Sequence, residues 1–421
     1  MSNVLVTFVG TSTYDETQYQ LNGFEPIKTS DVAVALATWL HPTRVVVVLT
    51  EKAKIGENYS RLKTALTAKN ITISEIHLKS GKAEDHLWEL FGQITENLQN
   101  EPNDIIFDLT HGYRSHPLIG LLTCAYLKQM GGRKITKLLY GAYEKDNLTN
   151  PIWDLSPFLD LFEWSFAAGL FMRSGDAREF ARILKETQTN FQKNYRKSLP
   201  ENGPKASYGD PSVPWDLQEL AKNLGTVTDN LLVGRPDALQ EKLDILIKDL
   251  EETRAEVETF ALPLAYILDK VKAEYEKLKV CPLESQLQLI KWYSEKGLVH
   301  QAIGLASEWL TTILCQLAKV DPQIFKHRES LSRKMNAQRK GRPEDPDQQP
   351  DLENLDHPIL PDPLPKPLTD WWGNIRDKRN DLMHFGQGKD TKDTLKAEIF
   401  MNFLKDLPEQ LKKVFDSLPK S

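Results

Sequence analysis

Cysteine is scarce in this 421-residue chain. Cys124, Cys281 and Cys315 stand far apart and form no CxxC pair. Neither a disulfide framework nor a cysteine zinc cluster is expected, and a reducing cytoplasm suits such a chain. Long apolar runs are also missing. The longest, such as "RVVVVLT", are far too short to cross a bilayer, so no membrane partner is expected. The start, "MSNVLVTFVGTSTYD", enters a strand at once without a basic leader and does not resemble a signal peptide. There is no excess of positive charge: the formal net charge is −6. Any contact with nucleic acid must come from a local basic patch. The chain has no GxxxxGK[ST] loop and no GxGxxG fingerprint, which disfavours an ordinary ATPase or NAD enzyme. No His, Asp and Glu cluster has ligand spacing, so no metal and no cofactor are expected.

What is present is a chain of ordinary globular composition, long enough for two or three domains. The first 145 or so residues alternate between two patterns. Val- and Ile-rich stretches at 4–10, 44–50, 71–78, 104–110 and 134–143 read as strands. Helical stretches lie between them, among them "DVAVALATWL", "NYSRLKTALTAK", "AEDHLWELFGQITENL" and "HPLIGLLTCAYLKQM". Near-continuous apolar strands in βα alternation predict a parallel sheet covered on both faces, an α/β Rossmann-like domain over about 1–155. Beyond that the strand signal fades. Residues 156–280 read as a helical connecting region and 281–421 as an all-α domain. Eight prolines among acidic residues at about 343–367 predict an exposed insertion.

In an open parallel sheet, ligands bind beyond the carboxyl ends of the strands. Three such ends are small and polar: Gly10-Thr11-Ser12-Thr13-Tyr14, Thr50-Glu51-Lys52, and Asp108-Leu109-Thr110-His111-Gly112-Tyr113-Arg114. Backbone N–H groups at a glycine turn, hydroxyls, an arginine and a helix start suit phosphate oxygens. The competing reading of "DLTHGYRSHP" is a plain strand-to-helix turn with Ser115 as N-cap and Pro117 in the first turn. His116 follows the loop and is a further candidate for lining the site.

"DLTHG" resembles the D-x-T-H-G signature of a family of CRISPR-associated proteins, and "VTFVGTSTYDETQY" is similar to that family's first strand and loop. The resemblance covers the Rossmann-like domain, which in that family is called CARF. It implies a dimer that binds a cyclic oligoadenylate made by a type III CRISPR complex. Residue by residue, it implies ligand contacts from Gly10, Thr11, Ser12, Thr110, His111, Gly112 and Arg114. Thr50 and Lys52 join by topology.

The densest cluster of reactive side chains is "DKRNDLMHFG", residues 377–386. On a helix Asn380 and His384, four apart, share one face, with Arg379 on an adjoining edge. RNA cleavage without metal needs an imidazole to move a proton at the 2′-hydroxyl or the leaving group, and a guanidinium to neutralise the phosphorane. The same segment also reads as a basic helix end stopped by Gly386. "RNDLMH" in addition matches the R-N-x-x-x-H motif of HEPN ribonucleases, and in the CRISPR family just named a HEPN domain follows the CARF domain. The resemblance implies a cytoplasmic, cyclic oligoadenylate-activated endoribonuclease of antiviral defence. It would cleave single-stranded RNA to 2′,3′-cyclic phosphate and 5′-hydroxyl ends, with Arg379, Asn380 and His384 catalytic. One helix supplies one His and one Arg, whereas in-line cleavage benefits from a base and an acid, so a homodimer or an oligomer of dimers is expected.

Two rivals stand beside this reading. One is a non-catalytic sensor or transcription regulator, which would need a basic recognition helix. The other is a CARF-domain enzyme that degrades its own activator. Among weaker features, "KHRESLSRKMNAQRKGR" (326–342) would guide RNA phosphates or form a solvated face. Trp371 and Trp372 would stack bases or pack in a core. Arg173, Asp176 and Glu179 suggest a surface ion-pair set, while His86 and His300 show no partner pattern.

Overall fold

The structure, a computed structural model, describes residues 3–78, 85–199, 209–278, 282–339, 359–387 and 395–419. The chain divides into two compact units, residues 1–165 and 166–421.

The first unit is built on eight strands: β1 (Asn3–Val9), β2 (Thr17–Gln20), β3 (Ile27–Thr29), β4 (Arg44–Thr50), β5 (Thr72–Leu78), β6 (Asp104–Asp108), β7 (Ile135–Gly141) and β8 (Thr149–Asp154). Their order across the sheet is β3-β2-β8-β7-β6-β1-β4-β5. The five strands expected from the sequence form the parallel run β7-β6-β1-β4-β5. The expected parallel sheet is present, and three strands that the sequence pattern does not show extend it at one edge. β8 runs antiparallel to β7, and the β2–β3 hairpin adds beyond it. These three strands are short and mostly polar, so they carry no apolar run. β8 is also interrupted by Pro151, which cannot donate to a ladder. The strand divides its partners around that proline, with Thr149–Pro151 beside β2 and Ile152–Asp154 beside β7.

Two helical layers cover the parallel strands. Side chains alternate across a strand, so Leu5, Val45, Val47 and Leu49 pack on one face with α1 (Val32–Leu40) and α3 (Glu57–Ala68). Val4, Val6, Phe8, Val46 and Val48 pack on the other with α4 (Asp85–Leu98) and α5 (Ser115–Gly131). A short α2 (Glu51–Lys54) continues directly from β4. Strand order reverses between β1 and β6, because one half of the sheet grows outward from each. That switch point leaves a crevice beyond their carboxyl ends.

α6 (Ser156–Ser174) contains the boundary between the units, and every described element after it is helical: α7 (Arg178–Ser198), α8 (Leu217–Val233), α9 (Pro236–Glu252), α10 (Arg254–Phe260), α11 (Leu262–Ala265), α12 (Leu268–Glu276), α13 (Pro282–Glu295), α14 (Val299–Leu317), α15 (Phe325–Arg339), α16 (Lys366–Met383) and α17 (Ala397–Asp416). Within the region read as helical over 156–280, the chain turns between α6 and α7 at Gly175, which has φ +73°. A Cβ there would lie 2.1 Å from the Trp292 ring, so only glycine fits the turn. The expected ion-pair set around this turn forms with other partners. Asp176 pairs with Arg178 and Glu179 with Arg182, while Arg173 donates to the Gly169 carbonyl. The proline-rich stretch read at 343–367 lies mostly outside the described residues.

Candidate functional sites

At the switch point the loops after β1 and β6 meet. Asp108, the first residue of the DxTHG motif, is fully buried at the end of β6. Its carboxylate accepts from the Thr7 hydroxyl of β1 at 2.7 Å and from the Thr110 N–H and hydroxyl at 3.0 and 2.5 Å. The Thr110 oxygen in turn accepts from the Gly141 N–H of β7 at 2.8 Å. Asp108 and Thr110 therefore tie three strand ends together. A buried carboxylate is tolerable there because it accepts several donors.

His111 lies flat on Tyr14, with ring centroids 3.9 Å apart and 10° between planes. The Tyr14 hydroxyl accepts from the Gly10 N–H at 2.7 Å. Burial holds the His111 imidazole below its ordinary pKa, although Asp108 and Asp31 pull the other way. Gly112 takes φ +104°, and a Cβ on it would press His116 Nδ1 and Phe8. His116 is buried beneath it, edge-on to Tyr113, and is likewise held below its ordinary pKa by burial.

The glycine loop after β1 has a second brace that the sequence pattern does not reveal. Asn58 of α3 donates to the Gly10 and Ser12 carbonyls at 3.0 and 2.7 Å. Arg61 donates to the Asn58 side chain and pairs with buried Asp31 at 2.6 Å. These residues are distant in sequence and match no motif, so only the packing of α3 beside β1 brings them in.

Of the sequence-predicted ligand residues, Gly10, Thr11, Ser12, Thr110, His111, Gly112 and Arg114 share this crevice rim. Thr11, Ser12, Gly112 and Arg114 are exposed. Thr110 spends its hydroxyl on the scaffold. Thr50 is buried and serves as the N-cap of α2, accepting from the Ala53 N–H at 3.3 Å. Lys52 is exposed on α2. Among the described residues, neither Lys52 nor Arg114 has a hydrogen-bond or ion-pair partner. α5 starts at Ser115 itself, so the expected Ser115 N-cap is displaced to Arg114, whose backbone is already helical.

In the second unit α16 carries the RNDLMH motif at its carboxyl end. The helix closes at Met383, with His384 as C-cap. The Gly386 N–H reaches back to the Asp381 carbonyl at 2.9 Å and the Phe385 N–H to that of Leu382 at 3.0 Å, a Schellman motif. Two residues of this turn are left-handed, Phe385 at φ +50° and 80 % exposed, and Gly386 at φ +71°. Such a conformation is strained for an aromatic residue. Asn380 and His384 are exposed and Arg379 is half-buried. The Arg379 guanidinium approaches Asn380 Oδ1 at 3.5 Å. Asn380 and His384 do lie on one stripe, and Arg376, one turn earlier, continues it. Arg376 falls outside the six-residue motif, although the i, i+4, i+8 spacing is a signal that could have found it.

Trp372 is fully buried and donates to Asn336 at 2.9 Å, and Trp371 stacks on Phe403, so both tryptophans pack. The basic stretch at 326–342 is mostly neutralised where it is described. Arg328 pairs with Glu308, Arg333 with Glu329 and Arg339 with Asp377. His300, in the first turn of α14, faces the Phe385 ring at 6.2 Å. It borders a cavity of about 940 Å³ that Met383, Glu308 and Arg328 also line. Among the described residues no group of three His, Cys, Asp or Glu is placed to hold a metal ion, and no helix is long and apolar enough to cross a membrane.

Residues 4–144 match the family model described as "CRISPR system endoribonuclease Csx1, CARF domain". The chain is 24 % identical over 260 residues to the CRISPR-associated protein MJ1674 of Methanocaldococcus jannaschii. That stretch is 60 % of this chain and 36 % of the relative, so the chain spans about a third of the relative's length. Among solved structures, Enterococcus italicus Csm6 bound to cyclic hexa-2′-fluoro-hexa-dAMP is similar at a TM-score of 0.44 and 10 % identity, covering 100 % of this chain and 96 % of that one. The D-x-T-H-G loop, the first-strand glycine loop and the family model coincide on one part of the chain: residues 4–144 are similar to a CARF domain of the Csx1 kind.

Proposed function

We propose that this chain is a type III CRISPR effector whose CARF domain senses a cyclic oligoadenylate and whose helical unit is a HEPN ribonuclease acting on single-stranded RNA. The observation that carries the first half is the braced rim at the β1–β6 switch point. It offers exposed loop backbone and Arg114 to phosphate oxygens, and α2 after β4 adds Lys52; among the described residues neither cation has a hydrogen-bond or ion-pair partner. The match to a CARF domain supports the same ligand class.

The second half rests on the α16 stripe. His384 acts as base or acid at the 2′-hydroxyl or the 5′-oxygen leaving group. Arg379 neutralises the phosphorane, and Asn380 orients the substrate. Attack by the 2′-oxygen breaks the P–O5′ bond and leaves a 2′,3′-cyclic phosphate and a 5′-hydroxyl. No metal ion takes part in this scheme.

One chain offers one such stripe, so a two-fold pair supplies both base and acid. Pairing is supported by an apolar surface on the first unit. Leu118, Leu122, Tyr126 and Met130 form an exposed row along α5, and Tyr126 leads through Phe91 to exposed Trp88. α5 grows directly out of the DxTHG loop. A second copy covering this row would bring two loops to one axis, as a roughly symmetric ring ligand requires. Ligand closing the pair then couples to the catalytic stripes.

The test is cleavage of labelled RNA with a panel of cyclic oligoadenylates of different ring sizes. Purified mixed dimers carrying one wild-type and one His384→Ala chain should retain much less than half of wild-type activity. Half activity would mean that each chain works alone.

A further inference from the structure

Arg376 differs from the other arginines near the RNDLMH motif. Arg328, Arg333 and Arg339 each meet a carboxylate. Arg376 is half-buried and, among the described residues, has neither an ion-pair nor a hydrogen-bond partner. Its guanidinium lies over the Trp372 ring at 5.3 Å. Of the charged groups around it, Arg379 repels it, and the Glu308 carboxylate on α14 is already engaged by Arg328 at 2.7 Å. Burial, with Arg379 second, disfavours its charge. A half-buried guanidinium offset only by the shared Glu308 carboxylate is costly to hold, and an anion placed beside it and Arg379 would lower that cost.

The position suggests which anion. Arg376, Asn380 and His384 stand at i, i+4 and i+8, so they follow one another along one face at steps of about 6 Å. That step is comparable to the separation of neighbouring phosphates on an extended RNA strand. The Arg376 guanidinium lies 5.3 Å from the centroid of the buried Trp372 ring, which leaves its N–H edge free for a bidentate phosphate contact.

We propose that Arg376 forms a subsite for the RNA phosphate adjoining the scissile one, one helical turn from the Arg379–His384 group. The inference rests on the ribonuclease reading above. It makes Arg376 a positioning residue: it holds the strand in register and does not act on the reacting atoms.

The experiment uses the full-length dimer, activated by whichever cyclic oligoadenylate stimulates the wild type. The substrate is a 2′-O-methyl oligonucleotide with one cleavable ribonucleotide. It is compared with versions in which the linkage on one side or the other of the scissile phosphate is a neutral methylphosphonate. Wild type should lose about tenfold in kcat/KM on one of these, mostly through KM. Arg376→Met, which keeps a stem over Trp372, should show the same loss on the charged substrate and no further loss on the neutral one. Arg376→Lys should recover part of it, and thermal stability should not change. Losses that multiply instead of cancelling would overturn the subsite, because the two groups then act independently.

Binding of a fluorescent, fully 2′-O-methylated strand by anisotropy reads the same interaction without cleavage. Arg376→Met should lower its salt slope by about 0.7, the share of one phosphate on a single strand. An unchanged affinity and slope would also overturn the proposal. His384→Ala, run in parallel, separates the two failures. If that variant cleaves like wild type, the ribonuclease reading falls, and anisotropy alone decides the subsite.

Discussion

The two sites of this protein are built in opposite ways. At the sheet switch point side-chain hydrogen bonds brace the backbone of the rim. Asp108 holds Thr7 and Thr110, Thr110 holds Gly141, Tyr14 holds Gly10, and Asn58 holds both ends of the Gly10–Ser12 turn. At the end of α16 the reactive side chains are exposed. Asn380 and His384 rest on one helical turn, and among the described residues their side chains have no hydrogen bond or ion pair beyond the approach of Arg379 to Asn380. A rim assembled from loops must be cross-linked to keep its shape, because loops have few backbone bonds of their own. A stripe on a helix needs no such bracing, because the backbone ladder already sets the spacing. Damage should therefore spread to stability at the first site and stay confined to chemistry at the second.

The largest effect is expected of His384→Ala or Arg379→Ala. Each should reduce RNA cleavage by roughly 10²-fold or more, leaving thermal unfolding and cyclic oligoadenylate binding as in wild type. Calorimetry alongside a cleavage assay checks both parts. A large fall in melting temperature would mean that the helix end is structural after all.

Asp108→Ala should do the reverse. It strands the Thr7 and Thr110 donors in a buried position and should cost about 3 kcal/mol of stability, with ligand affinity lost as the rim collapses. Denaturant unfolding of the variant reads the first effect and ligand titration the second. Arg114→Ala acts within the same loop, where among the described residues the Arg114 side chain has no hydrogen-bond or ion-pair partner. About a tenfold loss of affinity is expected with unchanged stability, and the loss should shrink at high salt.

Two histidines, His111 on the rim and buried His116 beneath it, add a pH dependence. His111 and His116 are both held below the ordinary 6.5 by burial. As pH falls through 6.5 the unfolded chain gains protons that the folded one refuses, so stability declines toward pH 5 and is flat above neutrality. His116→Asn should flatten part of that decline in melting curves taken across this window.

The smallest effect concerns the second site alone. Phe385→Gly replaces a left-handed aromatic residue in the Schellman turn and should raise stability by about 1 kcal/mol. A loss of stability would show that the exposed ring packs in the assembled protein.

Much of this was legible in order along the chain. Five Val- and Ile-rich strands alternating with helices dictate a doubly wound sheet, because strands apolar on both faces must be covered on both faces. DLTHG and GTST, each at a strand end, mark the crevice, and RNDLMH marks one face of a helix, because local periodicity sets both. The edge strands β2, β3 and β8 were not legible. They are short and polar and owe their conformation to the neighbours they pair with. Nor were the roles within the motif. The sequence shows Asp108, Thr110 and His111 as equals, yet the first two bind scaffold and the third lies on Tyr14. That division depends on Thr7, Gly141 and Asn58, which stand at distances of 101, 31 and 48 residues from the groups they hold. Residue type and spacing determine which chemistry is available. Only tertiary structure decides which of those groups is already spent on holding the fold, because a hydrogen-bonding side chain has few donors and acceptors and its partners are chosen by packing.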